Sequence, residues 1–325
     1  MDTTVAVIVV NFNGGEHLRR CLDAIASQTL RPRRVIVVDN ASSDNSLAGL
    51  AERHPAIEIV RLETNVGFAA ANNLAVIQAA NVAWVALLNS DAFPQPRWLE
   101  CLMAAAVQHP ETACFGSRLL QAGDASLLDG VGELYHVSGS HWRAATHKPA
   151  AGRFLEPQEI FWACAAAALY RRDKFLEVGG FDESYFCYVE DVDLAFRFQL
   201  AGYSCRYVPE AAVEHVGSAS AGRHSDFQVY HGQRNVVWTW FKNMPGPLLW
   251  WYLPQHLAWN LAACGRYLLR GQGRVIWRSK VDALRGLRAV WHKRRQTQST
   301  RQVSSWDLRQ KMARGWFRPY LRWIT

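Results

Sequence analysis

The segment Gly179–Arg197 reads GGFDESYFCYVEDVDLAFR and sets five carboxylates among apolar and aromatic residues of the kind usually buried. A buried carboxylate needs a cation, hydrogen-bond donors or a proton to exchange. A helix beginning near Glu190 puts Val192, Ala195, Phe196 and Gln199 on one face. It also leaves Glu190 and Asp191 in its first turn, where the helix dipole favours anions. Two readings follow: the pair caps the helix, or one of the two is held as a general base. Asp91, two residues after Asn89, offers a hard oxygen ligand of the kind Mg²⁺ or Mn²⁺ takes, although an Asn-Ser-Asp turn also forms without a metal.

The elements that must position these groups alternate. Short apolar runs at Val5–Val10, Val35–Val38, Ile57–Leu62, Val82–Leu88 and Ala113–Ser117 read as strands. Between them lie helix candidates at Glu16–Ser27, Asp44–Arg53, Phe68–Ala80 and Arg97–Gln108. This βαβαβαβαβ order predicts an α/β fold with a mostly parallel central sheet flanked by helices, binding ligands at the carboxyl ends of its strands. Polar motifs fall at those ends: VVNFNG (Val9–Gly14), VVDNASSDNS (Val37–Ser46), NVGFAAANN (Asn65–Asn73) and LLNSDAFP (Leu87–Pro94). A nicotinamide oxidoreductase would need GxGxxG after the first strand, where this chain has NFNGGEH. Phosphates would then be met by a bridging metal rather than by bare backbone.

Length and composition suit one large domain with an appendage, and half the 325 residues are hydrophobic. Seven cysteines without a CxxC pair suggest neither a disulfide framework nor a zinc cluster, which favours a reducing cytoplasm. No export signal precedes the first strand. The charge is divided unevenly. Residues 231–325 hold 18 Lys and Arg against only Asp282 and Asp307, a net +16, while the rest of the chain is at −8. The same third carries ten of the fourteen tryptophans. Basic residues mixed with interfacial aromatics suit an anionic membrane surface. No nucleic-acid recognition motif accompanies the charge, and the acidic remainder would repel phosphates. The apolar run Pro247–Leu269 is interrupted by Pro254, Gln255, His256, Asn260 and Arg266, so it reads as interfacial or packed rather than spanning. Val275–Arg295 spaces Ile276, Val281, Leu284, Leu287 and Trp291 at helical intervals among Arg and Lys, a basic amphipathic helix.

Taken together, the four strand-end motifs, GGFDE, EDVDL and a histidine after Pro209 resemble glycosyltransferase family 2, the inverting nucleotide-sugar transferases of GT-A fold. The resemblance covers about Val5–Ser220 and is nearest to rhamnosyltransferase-like members that build bacterial surface polysaccharides. It implies a catalytic domain over 1–225, with a donor half to about 120 and an acceptor half beyond, followed by a basic, Trp-rich helical membrane-associated region over 226–325. HGQRN at His231–Asn235 resembles the start of that membrane-associated end.

The resemblance also implies roles. Phe12 stacks on the donor's base, and Asp39 reads the base or ribose. Asn13, Asn65, Gly67, Asn89 and Ser90 belong to the loops that contact the nucleotide. Asp91 is the last carboxylate of the family's metal motif, which departs from the pattern by carrying Asn89 at its first position. His215 matches a histidine that ligates the metal in some relatives, and such a ligand leans toward Mn²⁺ over Mg²⁺. Asp191 matches the general base, with Glu190 orienting the loop or the acceptor. Trp162, Tyr185, Phe186 and Tyr188 can wall the acceptor, and Gly179 and Gly180 supply the turn that carries this segment under the donor. The expected enzyme moves a sugar, L-rhamnose from dTDP-rhamnose first, to a hydroxyl of a lipid-linked or surface-polysaccharide acceptor at the inner face of the cell membrane. Galactofuranose, mannose or N-acetylglucosamine donors, or a catalytically silent sugar-binding protein, are the alternatives.

Overall fold

The structure is a computed structural model that describes residues 2–217 and 225–321. The end of the stretch over which the family resemblance runs, residues 218–220, lies outside the described residues. The chain begins β1 (Val5–Asn11), α1 (Gly15–Ala26), β2 (Arg34–Asp39), α2 (Leu50–Arg53), β3 (Ile57–Arg61), α3 (Gly67–Gln78), β4 (Trp84–Asn89), β5 (Ala92–Pro94), α4 (Trp98–Gln108) and β6 (Cys114–Gln121). The acceptor half adds β7 (Asp124–Gly130), β8 (Glu133–Tyr135), β9 (His141–Arg143), β10 (Gln158–Ile160), β11 (Ala167–Arg171), α5 (Arg172–Glu177), α6 (Glu190–Leu200) and β12 (Cys205–His215). Helices α7 (Asp226–Asn243), α8 (Gly246–Leu269), α9 (Gly273–Ser299), α10 (Ser305–Lys311) and α11 (Arg318–Leu321) complete it.

One ten-stranded sheet runs β10-β12-β6-β11-β4-β1-β2-β3, with β5 on β12 and β7 on β6. The donor half is parallel throughout, and β11 enters antiparallel between β4 and β6. All seven residues of β1 are buried because both faces of the sheet are covered. Ala6, Ile8 and Val10 face one apolar cluster, while Val5, Val7 and Val9 face the other beneath α1 and α4.

Two expectations change. The helix foreseen over Asp44–Arg53 shrinks to α2. Asp44 instead accepts hydrogen bonds from Ser46 N (3.1 Å) and Gly15 N (3.0 Å), so its loop closes on itself and on α1. The basic helix exists as α9, but its buried face is Ile276, Ser279, Ala283, Val290 and Arg294. Of the apolar residues foreseen at helical intervals, Ile276 is buried while Leu284 and Trp291 are exposed.

The C-terminal helices are not loosely attached. Val236, Trp240, Leu249, Tyr252 and Trp259 belong to the same apolar cluster as Ile8 and Leu87. Lys242 donates to Asp182 (2.7 Å) and Asp193 (2.8 Å), Lys293 donates to Asp182, and Arg197 also donates to Asp193 (2.9 Å). Three cations therefore account for two of the five carboxylates in GGFDESYFCYVEDVDL. Among the described residues, no helix is long and apolar enough to cross a membrane.

Candidate active site

A cavity of about 970 Å³ opens at the carboxyl ends of β1, β2 and β4 and continues to α7 and α8. Sheet register brings the strand-end loops together: Asn11 pairs with Asp39 across β1–β2, and Val10 with Asn89 across β1–β4. Phe12 lines the cavity and is half-exposed, leaving a ring face for a base. Asn65, Gly67, Asn89 and Ser90 line it as well.

Asn13 and Asp39 do not line this cavity. Asn13 Oδ1 accepts from Ser43 N (2.8 Å), and the two oxygens of Asp39 accept from Asn11 Nδ2 (2.9 Å) and Ser42 N (3.3 Å). Their polar atoms sew the first two loops together, and Asp39 borders a separate shallow hollow with Arg61 and Glu63. Asn40, not singled out from the sequence, lines the main cavity and links the second loop to the third through Asn65 Oδ1 (2.9 Å) and Val66 N (2.9 Å).

Asp91 immediately precedes β5, whose first residue Ala92 lies opposite His215 on β12. This register sets His215 Nε2 3.6 Å from Asp91 Oδ1. The imidazole is oriented from behind: its Nδ1 and Asp129 Oδ2 are 2.8 Å apart, and Asp129 is in turn ion-paired to Arg143. Burial would lower the His215 pKa, but the hydrogen bond to Asp129 and the nearby Asp91 carboxylate raise it above the ordinary value. The spot therefore attracts positive charge. His215 Nε2, buried and without a hydrogen-bond partner among the described residues, is a suitable ligand atom for a divalent ion beside Asp91. Among the described residues, no group of three or more His, Cys, Asp or Glu could hold a metal, so a donor diphosphate would supply the remaining ligands.

Across the cavity stands α6. Ten of its eleven residues are buried, and Asp191 is the one that is not. Its Oδ2 accepts from Ala165 N (3.1 Å) and its Oδ1 from Val192 N (2.8 Å). Burial pushes the Asp191 carboxyl up to about 6, partly offset by these backbone donors. Glu190 also lines the cavity; its Oε2 has no hydrogen-bond partner among the described residues. Burial, followed by repulsion from Asp191, raises its pKa well above the ordinary value.

The chain leading into α6 is strained: Phe186, Tyr188 and Val189 have φ of 65°, 69° and 72°. Gly67 makes room for it, because a Cβ there would lie 2.5 Å from the Phe186 carbonyl oxygen. From the other side, Asn235 Nδ2 lies within 3.0 Å of the carbonyl oxygens of Tyr185, Cys187 and Tyr188, and Arg234 donates to those of Ser184 (3.1 Å) and Tyr185 (3.0 Å). HGQRN is thus turned inward onto the segment carrying Asp191. Gly179 and Gly180 form the turn below, where Arg197 holds the carbonyls of Val178 and Gly180.

Trp162 and Tyr188 line the same cavity, joined by Trp259 from α8. The indole Nε1 atoms of Trp162 and Trp259 are buried without a hydrogen-bond partner among the described residues. Phe186 also lines the cavity, whereas Tyr185 is fully buried, its hydroxyl donating to Asp193 (3.1 Å). Tyr185 is therefore a core residue, not part of an acceptor wall.

A doubly covered sheet with polar strand ends, facing a carboxylate at a helix N-terminus, defines a GT-A nucleotide-sugar transferase. The chain belongs to glycosyl transferase family 2, whose model matches residues 6–179. It is 29% identical over 316 residues to the N-acetylglucosaminyl-diphospho-decaprenol L-rhamnosyltransferase of Mycobacterium tuberculosis, covering 88% of this chain and 99% of that protein. It is 27% identical over 227 residues to the O-antigen chain rhamnosyltransferase RfbN of Salmonella typhimurium, covering 70% of each. In structure it is similar to GalNAc-T7, solved with UDP, GalNAc and Mn²⁺, at a TM-score of 0.60 and 15% identity. That alignment covers 78% of this chain and about half of the other.

Proposed function

We propose that this glycosyltransferase moves L-rhamnose, with inversion, from dTDP-rhamnose to a hydroxyl of a lipid-linked or surface-polysaccharide acceptor. The observation that carries the reading is a single cavity holding Asp191 at the start of α6 and the Asp91–His215 pair at the strand ends. The rhamnosyl choice rests on the names of the two relatives above.

In this reading Phe12 stacks on the base, while Asn65, Gly67, Asn89 and Ser90 border the nucleotide and Asn13 and Asp39 hold the loop that shapes its pocket. Asp91 and His215 hold Mn²⁺ or Mg²⁺. When bound, the ion offsets charge on the departing diphosphate. The acceptor hydroxyl attacks the anomeric carbon from the face opposite that diphosphate. Its proton passes to the Asp191 carboxylate, while the sugar–phosphate bond breaks with its electron pair going to the diphosphate. A base so placed contributes about 10²- to 10⁴-fold. Glu190 orients the acceptor beside Asp191, and Trp162 and Tyr188 supply apolar faces with polar rims for its sugar. We place the enzyme on the inner face of the membrane, its +16 third drawn to anionic lipid.

The test is a panel of nucleotide sugars with and without Mn²⁺, reading nucleoside-diphosphate release. dTDP-rhamnose is expected to be turned over fastest, and preference for another donor would overturn the rhamnosyl assignment. Chelator is expected to abolish transfer, and Asp91→Ala to lower both turnover and donor affinity. Full activity in chelator would remove the metal from the reading.

A further inference from the structure

Helix α8 is apolar on both sides. Its inner face buries Leu248, Leu249, Tyr252 and Trp259 together with Gln255 and His256, which are 5% and 1% exposed, and the His256 Nδ1–H donates to the Ser138 carbonyl (2.8 Å) while its ring stacks on Trp240 at 4.0 Å. A second apolar set points the other way. Trp250, Pro254, Leu257, Leu261 and Leu268, at helical spacings of four, three, four and seven, form one exposed ridge, with Leu261 at 73% and Leu268 at 61%. Of the residues that interrupt the apolar run in the sequence, Gln255 and His256 help anchor the helix, whereas Pro254 lies on the exposed ridge among apolar neighbours.

We propose that this ridge is the face by which the enzyme enters the interfacial layer of an anionic bilayer, with α8 as the partition between lipid and catalytic cavity. The inner face of the same helix supplies Trp259 and Tyr267 to the cavity, so one helix diameter, about 10 Å, separates the ridge from the acceptor end. Charge selects lipid over a second copy of the chain. Packed against α8, α9 exposes Trp277, Leu284 and Trp291, with Arg278 and Arg285 next to the first two, and two copies would set +16 against +16. An anionic headgroup layer complements both the apolar ridge and this charge.

This placement deepens the reading of a lipid-linked acceptor, but its test requires no acceptor. The full chain is floated with vesicles of phosphatidylcholine alone and with phosphatidylglycerol added, at low and high salt. Wild type is expected to bind the anionic vesicles, with high salt releasing only part, because screening removes the Coulomb attraction and leaves the inserted ridge. Leu257→Glu/Leu261→Glu is expected to lower binding at least about tenfold, since each change puts a carboxylate into the interface, with an unchanged Tm and unchanged nucleoside-diphosphate release from the donor. Full binding by the double variant would overturn the proposal. So would a wild-type dimer that the variant converts to monomer, which would make the ridge a contact between copies. Failure of the rhamnosyl reading would appear only in the donor panel.

Discussion

Asp191→Asn is expected to lower turnover by at least about 10²-fold while donor binding persists, because the amide keeps the shape and loses the proton acceptor. The surroundings of Asp191 argue for a base rather than a cap. A capping carboxylate would spend its oxygens on the first turn of its own helix. Here one oxygen takes Val192 N, while the other takes Ala165 N from a distant loop, and the group remains the least buried of α6. Burial sets its pKa at about 6, which keeps it ionised at neutral pH yet basic enough to take a proton. Turnover should therefore rise with pH through about 6 as the base form accumulates, and the profile of the asparagine variant should lack that limb. A variant with near-normal rate, or a wild-type rate that is flat across pH 5 to 7, would sink the assignment.

Much of this site is legible in the sequence because parallel α/β folds put their ligand loops at strand ends, and the strand-end motifs announce themselves by composition. Phe12, Asn65, Asn89, Asp91 and Asp191 converge on one cavity for that reason. What composition cannot encode is whether a polar loop residue faces a ligand or another loop. Asn13 and Asp39 satisfy each other's loops, and the same letters would serve either purpose. Asp129 and Arg143 were invisible for a different reason. Asp129 reaches His215 across 86 residues of chain, through a sheet register that no local pattern specifies. The faces of α8 and α9 were hidden because each buries polar residues among apolar ones, Gln255 and His256 in α8 and Ser279 and Arg294 in α9.

The second large effect is expected from Lys242, far from the cavity in sequence. Lys242→Ala should destabilise the fold by about 3–5 kcal/mol, because removing one partner of a buried ion pair strands the others without compensation. The ammonium is 3% exposed and sits between Asp182 and the fully buried Asp193, which also takes Arg197 and the Asn243 amide (2.8 Å). Burial alone would raise both carboxyl groups, but Lys242 overrides it and holds them below the usual carboxylate range. Lowered carboxylate pKa values contribute stability above the unfolded value of about 4, and that contribution is lost as pH falls through the folded values. The variant should accordingly differ most from wild type near neutral pH, with the gap narrowing in acid. Denaturant titrations at about pH 7 and about pH 2 read this directly. Equal stability at pH 7 would mean that Lys293 and Arg197 suffice to hold the carboxylates. Because Asp182 and Asp193 flank the segment that presents Asp191, the loss should also reach turnover in the folded protein. The basic C-terminal third is thus part of what holds the segment carrying Asp191 in place.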